Sequence, residues 1–122
     1  MTQVLISKDV NGASCDDLLN LDGVFHVIVV NNHADVVYEK AKDEYVSNEY
    51  LKVIPDLAMR LSIIRTATNV YKDPAGQFRS ALLEFDRTAI LVIPKGKLTY
   101  GIALLKENAT PETIAISKTI IG

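Results

Sequence analysis

QFRSALLEFDRTAILVIPKGKLTYGIALL, residues 77–105, decides the fold of this chain. It reads as three strands in succession, over 77–85, 88–93 and 98–105, because β-branched and aliphatic runs are bounded by turn residues. Asp86 and Arg87 make the first connection. In the second, Pro94-Lys95-Gly96-Lys97, glycine stands where a tight hairpin demands a positive φ. Strands joined this closely run antiparallel, since a parallel crossover takes about a dozen residues or more.

Upstream, residues 48–70 carry a helical pattern. Tyr50, Leu51, Val53, Ile54, Leu57, Ala58, Leu61 and Ile64 fall on one broad face at a spacing of about 3.6 residues. Ser47 is a credible N-cap, and Pro55 either kinks the helix or marks its true first turn. YKDPAG, over 71–76, ends it in a turn. VFHVIVV over 24–30 and the strand over 36–40 make a hairpin around Asn31-Asn32-His33-Ala34-Asp35, where Asn and Asp tolerate the left-handed region. Before it lies a short helix over 16–21, capped by Ser14, with Asp16 and Asp17 in its first turn and Gly23 as its stop. Residues 1–13 are expected to be flexible or to add a short strand.

Downstream, Thr110 caps a last helix that has Pro111 at its first position. Thr113 stands where a capping box prefers Glu or Gln. Ile114 and Ile121, with Ala115 and Lys118 between, supply its apolar stripe. The order is α-β-β-α-β-β-β-α in one domain over 1–122. That predicts an α+β fold, a five-stranded antiparallel sheet flanked by helices.

The 122 residues, 48% hydrophobic and 23% charged, are an ordinary globular composition with enough chain for one core. A net charge of −2 with scattered lysines and no tryptophan argues against a nucleic-acid platform, which needs clustered cations and stacking aromatics. The single cysteine, Cys15, excludes an internal disulfide and a four-thiol metal site, and fits a reducing, cytoplasmic setting. Residues 1–11 lack a basic region followed by a long apolar one, so no signal peptide is read there. The apolar run over 88–94 is far short of the roughly 20 residues that cross a bilayer, and membrane insertion is not expected.

The sequence carries no constellation that chemistry would need. The six glycines are dispersed, and Gly96-Lys97 has neither the spacing nor the Ser/Thr of a phosphate-cradling loop. His26 alternates with apolar neighbours and reads as a packed, satisfied histidine, and His33 as a solvated turn residue. Neither has companions at metal-ligand spacing. Asp16 with Asp17 suits a helix start, and Glu84 with Asp86 a hairpin end, rather than paired acid–base work. The two acids beside Cys15 raise its pKa and blunt its thiolate. Arg60, Arg65, Arg79 and Arg87 read as rim or surface charges. No catalytic residue, cofactor or metal is assigned, and the chain is not read as an enzyme.

What remains is surface. On the long helix, Met59, Ile63 and Val70 fall nearly opposite the core stripe, with Thr66 among them. A single sheet covers one side of a helix, so apolar residues on both sides predict a second protein surface. In the strand over 77–85, Ala81 and Leu83 alternate with Ser80 and Leu82, so both faces carry apolar groups. That suits an edge strand pairing with a twofold copy, or an ordinary central strand.

Several spellings, taken in this order, resemble the roadblock/dynein-light-chain family over residues 14–121. They are the Leu21-Asp22-Gly23-Val24 entry into an apolar strand and its Val30-Asn31-Asn32 end, and the central amphipathic helix. The hairpin LLEFDRTAILVI over 82–93 and the closing Gly101-Ile102-Ala103-Leu104-Leu105 strand complete them. Departures are a short first helix and Pro55 inside the second. The resemblance implies a profilin-like fold that forms a homodimer, or a heterodimer with a related domain, through its third strand and second helix. It implies protein binding without chemistry: scaffolding or regulation of a Ras-like small GTPase, or binding of motor-complex subunits. Met59, Ile63, Thr66 and Val70 then form the partner-facing stripe, with Arg79, Ala81 and Leu83 pairing across the dimer. The alternative is a small-ligand sensor of PAS or GAF type, with His26 or Tyr100 lining a cavity.

Overall fold

The computed structural model describes residues 10–42 and 48–122. Strands β1 (Val24–Val30), β2 (Val36–Ala41), β3 (Ala81–Glu84), β4 (Thr88–Lys95) and β5 (Leu98–Leu105) form one antiparallel sheet in the order β2-β1-β5-β4-β3. Helices α1 (Gly12–Leu19) and α4 (Pro111–Ile121) cover one face, over Val27, Val29, Leu91 and Ile102. Helix α2 (Asn48–Asn69) covers the other, setting Ala58 and Leu61 on Ile28, Val30 and Val92. The α+β architecture and element order expected from the sequence are present. Coverage on both faces explains why VFHVIVV is apolar at six of seven positions: all seven of its residues are buried, His26 included. Where α2 crosses β5, Gly101 leaves the room. A Cβ there would lie 2.8 Å from Leu61 Cδ1 and 3.0 Å from Ile28 Cγ2.

Local chemistry sets most boundaries where they were expected. Thr110 accepts a hydrogen bond from the Thr113 N–H, with Pro111 opening α4. In the β1–β2 turn, Asn31 Oδ1 accepts from the N–H groups of His33 and Asp35. Ala34, rather than an Asn or Asp, holds the positive φ of 65°. Gly96, at φ 58°, turns β4 into β5.

Other boundaries move. α1 begins at Gly12, because Asn11 takes the capping role expected of Ser14 and accepts from the Ser14 N–H. Asp16 and Asp17 therefore lie beyond the first turn. Residues 10–13 hold a buried Val10, this cap and the start of α1, so no added strand forms there. Residues 1–9 and the expected Ser47 cap lie outside the described residues. α2 runs unbroken through position 55, so Pro55 is not in its first turn. The turn expected over 71–76 contains a short helix, α3 (Lys72–Ala75), and a 3-10 turn (Lys106–Asn108) follows β5.

β3 is shorter than the strand expected over 77–85, and Arg79 precedes it. The pairing of Ala81 with Val92, carried back two residues, would set Arg79 against Pro94. Proline has no N–H to donate, so the ladder stops. At the other end of β3, the Phe85 N–H bonds Thr88 O and closes the connection to β4.

Candidate functional site

One side of α2 is the core stripe just described, and the other is open. Met59 is 49% exposed, Ile63 55% and Val70 73%, and Thr66 is exposed with its hydroxyl donating to Ser62 O of its own helix. Val53, expected in the core, is instead 48% exposed. Side chains of Tyr50, Leu51, Ile54 and Pro55 lie outside the described residues. Met59, Ile63, Thr66 and Ala67 line a shallow groove of about 330 Å³, closed on one side by Ala34 from the β1–β2 turn.

The second surface is the edge of the sheet. Among the described residues no strand pairs with the outer side of β3. Since Phe85 N–H points inward to Thr88 O, alternation turns the main-chain groups of Leu82 and Glu84 outward. Ala81 and Leu83 are half-buried on the strand, and Phe85 beside it is exposed.

The sequence-predicted residues thus fall into two groups. Met59, Ile63 and Thr66 share the groove beside the β1–β2 turn, with Val70 just past the end of α2. Ala81 and Leu83 lie on the opposite edge strand, and Arg79 lines a separate cleft at its start.

Of the four arginines, Arg60, Arg79 and Arg87 are exposed as expected, and Arg65 is not. Arg60 pairs with Asp56 one turn away, both well exposed. Arg65 is a clamp: its guanidinium donates to the carbonyls of Gly96 and Leu98 and to Thr99 Oγ1, tying α2 to the β4–β5 turn. Sequence reasoning missed it because its partners lie on a turn more than thirty residues away.

The other titratable groups hold the fold. His26 is wholly buried, with its Nε2 2.8 Å from Glu39 Oε2 on the neighbouring strand. Burial lowers its pKa and outweighs the opposing pull of that carboxylate. Asp16 accepts from Tyr38 Oη and Lys40 Nζ, tying α1 to β2. Cys15 is pushed up to about 12, first by burial and second by Asp16, so the neighbouring acids are the minor cause. Tyr100 is also buried and pushed up to about 12 by that burial, with Cys15 adding to it. His26 and Tyr100, the residues the sensor alternative names, are both buried and line neither the groove of Met59 nor the cleft of Arg79. Among the described residues no three His, Cys, Asp or Glu converge as a metal site, and no helix is long and apolar enough to cross a membrane.

An antiparallel sheet in the order 2-1-5-4-3, with α2 on one face and α1 and α4 on the other, is the roadblock/LC7 fold. No protein-family model matches the chain, and no curated protein matches it by sequence. Solved structures do match. A Roadblock/LC7 domain from Streptomyces avermitilis superposes with a TM-score of 0.71 at 10% identity, covering 93% of this chain and 92% of that one. The gliding protein MglB from Thermus thermophilus gives 0.75 at 12%, covering 99% and 92%. MglB in a tetrameric arrangement gives 0.74 at 11%, covering 99% and 91%. At these identities the likeness is one of fold.

Proposed function

We propose that this chain is a non-enzymatic, dimeric scaffold or regulator of a Ras-like small GTPase in the cytoplasm, acting through protein–protein contacts. The observation that carries this reading is α2, a helix with a core stripe on one side and exposed Met59 and Ile63 on the other, with exposed Val70 just past its end. Large apolar side chains aligned along a helix are stabilised by a covering surface, whereas singly scattered ones need none. The open edge of β3 offers a second contact to a copy of this chain or to a related domain. The roadblock resemblance of the sequence, the shared fold and a gliding protein among the structural neighbours favour a GTPase as the further partner.

Double substitution Met59→Lys with Ile63→Glu tests it. Both side chains are exposed, so the fold should survive while light scattering reports a monomer in place of a dimer. A wild-type chain that is monomeric, or a variant of unchanged mass, counts against the surface. Capture of a nucleotide-loaded small GTPase by the wild type, lost in the variant, is the outcome expected for the partner.

A further inference from the structure

At the β4–β5 turn, the end of α2, the end of α4 and the approach to β3 enclose a cleft of about 640 Å³. Its apolar lining includes Phe78, Ile93 and Ile121, and its charged lining is Arg65, Arg79 and Lys118. Among the described residues no acidic side chain lines it. The cleft at the other end of β4 and β5 differs in kind. There Asp86 and Glu107 stand with Arg87 and Lys106, and the signs balance.

The three cations differ in what the fold already asks of them. Arg65 holds neutral carbonyls and a hydroxyl, so its charge meets no carboxylate. Lys118, in the last turn of α4, offsets that helix's terminal carbonyls, which explains part of its placement. Arg79 lies in no helix or strand and makes no ion pair among the described residues. Three cationic side chains thus line one cleft with no acidic side chain among them, an arrangement that favours an anion.

We propose that this cleft binds a small organic anion, an apolar body bearing a phosphate or carboxylate group. Its volume falls within the usual range of small-molecule sites, about 300–1,000 Å³. Arg79 and Lys118 would take the charged group, and Phe78, Ile93 and Ile121 the apolar body. The site stands apart from the groove of Met59 and Ile63, and shares only Arg79 with the expected dimer contact at β3, so Lys118 tests it independently.

The test uses the full chain with phenyl phosphate, inorganic phosphate and a glutamate-rich peptide as probes. Phenyl phosphate should raise the melting temperature saturably, and inorganic phosphate much less, because only the former fills the apolar floor. Lys118→Glu should weaken phenyl phosphate binding about tenfold, and so should Arg79→Gln, both in titration calorimetry. Both side chains are exposed, and melting without ligand verifies that each variant folds. Light scattering on the same samples separates loss of ligand from loss of dimer. Absence of a saturable shift, or variants that bind like the wild type, would overturn the site. Tighter binding of the peptide than of phenyl phosphate would also overturn it, and would make the cleft a protein-docking surface.

Discussion

At Gly101 the sheet and α2 approach more closely than any side chain allows. Gly101→Val should destabilise the protein by about 1–3 kcal/mol in urea unfolding, because the new atoms meet Leu61 and Ile28. Leu61→Ala opens the same space, so the double substitution should cost less than the sum of the two singles. His26 makes a second prediction. Its folded pKa lies below the ordinary 6.5, so the unfolded chain takes up a proton first as the solution is acidified. Its contribution is present above about pH 6.5 and is lost as pH falls towards and through the folded value. The slope of stability against pH in that window should flatten in His26→Gln, measured by urea midpoints across about pH 5–8. That His26 is packed and satisfied was legible from its alternation with apolar neighbours. Its partner was not, because a bulge between Val29 and Val30 shifts the register that sets Glu39 beside it, and turn residues do not announce a bulge.

Among the elements, α4 was legible at its start and in Ile114 and Ile121, while Ala115 and Lys118, expected between them on the stripe, are exposed and Ile120 packs instead. Thr110, Pro111 and the pair Ile114 and Ile121 carry cap, start and stripe in the sequence itself. α1 slid by four residues, from an expected start at 16 to Gly12, because Asn11 and Ser14 cap about equally well and the sequence does not rank them. β3 was overextended because the residue that stops it, Pro94, sits on its neighbour, and cross-strand register is not written locally. The candidate stripe on α2 was legible because 3.6-residue periodicity alone separates Met59 and Ile63 from Leu61. The separation of that stripe from β3 was not, since it depends on strand order. If β3 pairs with a twofold copy, its register can be argued. A twofold at Leu82 sets Ala81 opposite the partner's Leu83, apolar against apolar. A twofold at Leu83 would instead set Leu82 against the partner's Glu84, an aliphatic side chain against a charged one. Leu82→Cys should therefore form a disulfide-linked dimer on mild oxidation and Leu83→Cys should not, read on non-reducing gels.

For the whole molecule, stability and association separate by face. The α1/α4 face is closed by the chain itself, and Ile114, Ile120 and Ile121 complete it. The α2 face is closed beneath and open above. Substitutions on the open side should change mass in solution and leave the unfolding midpoint of the isolated subunit nearly untouched, within about 0.5 kcal/mol for exposed positions. Arg65→Ala should do the reverse. It frees α2 from the β4–β5 turn and should cost about 1–3 kcal/mol through the acceptors it leaves without their donor, with no direct effect on mass.

The strand order has a consequence for synthesis. β1 and β5 are neighbours within the sheet, yet β1 is made early and β5 last. While the ribosome is still short of residue 105, β1 and β2 are a lone hairpin, and β3 and β4 another. Each is too small to persist in water, and each shows apolar side chains to whatever is near. A nascent or prematurely terminated chain is therefore a client for chaperones rather than a partial product, and the last strand to appear is the one that ends that exposure.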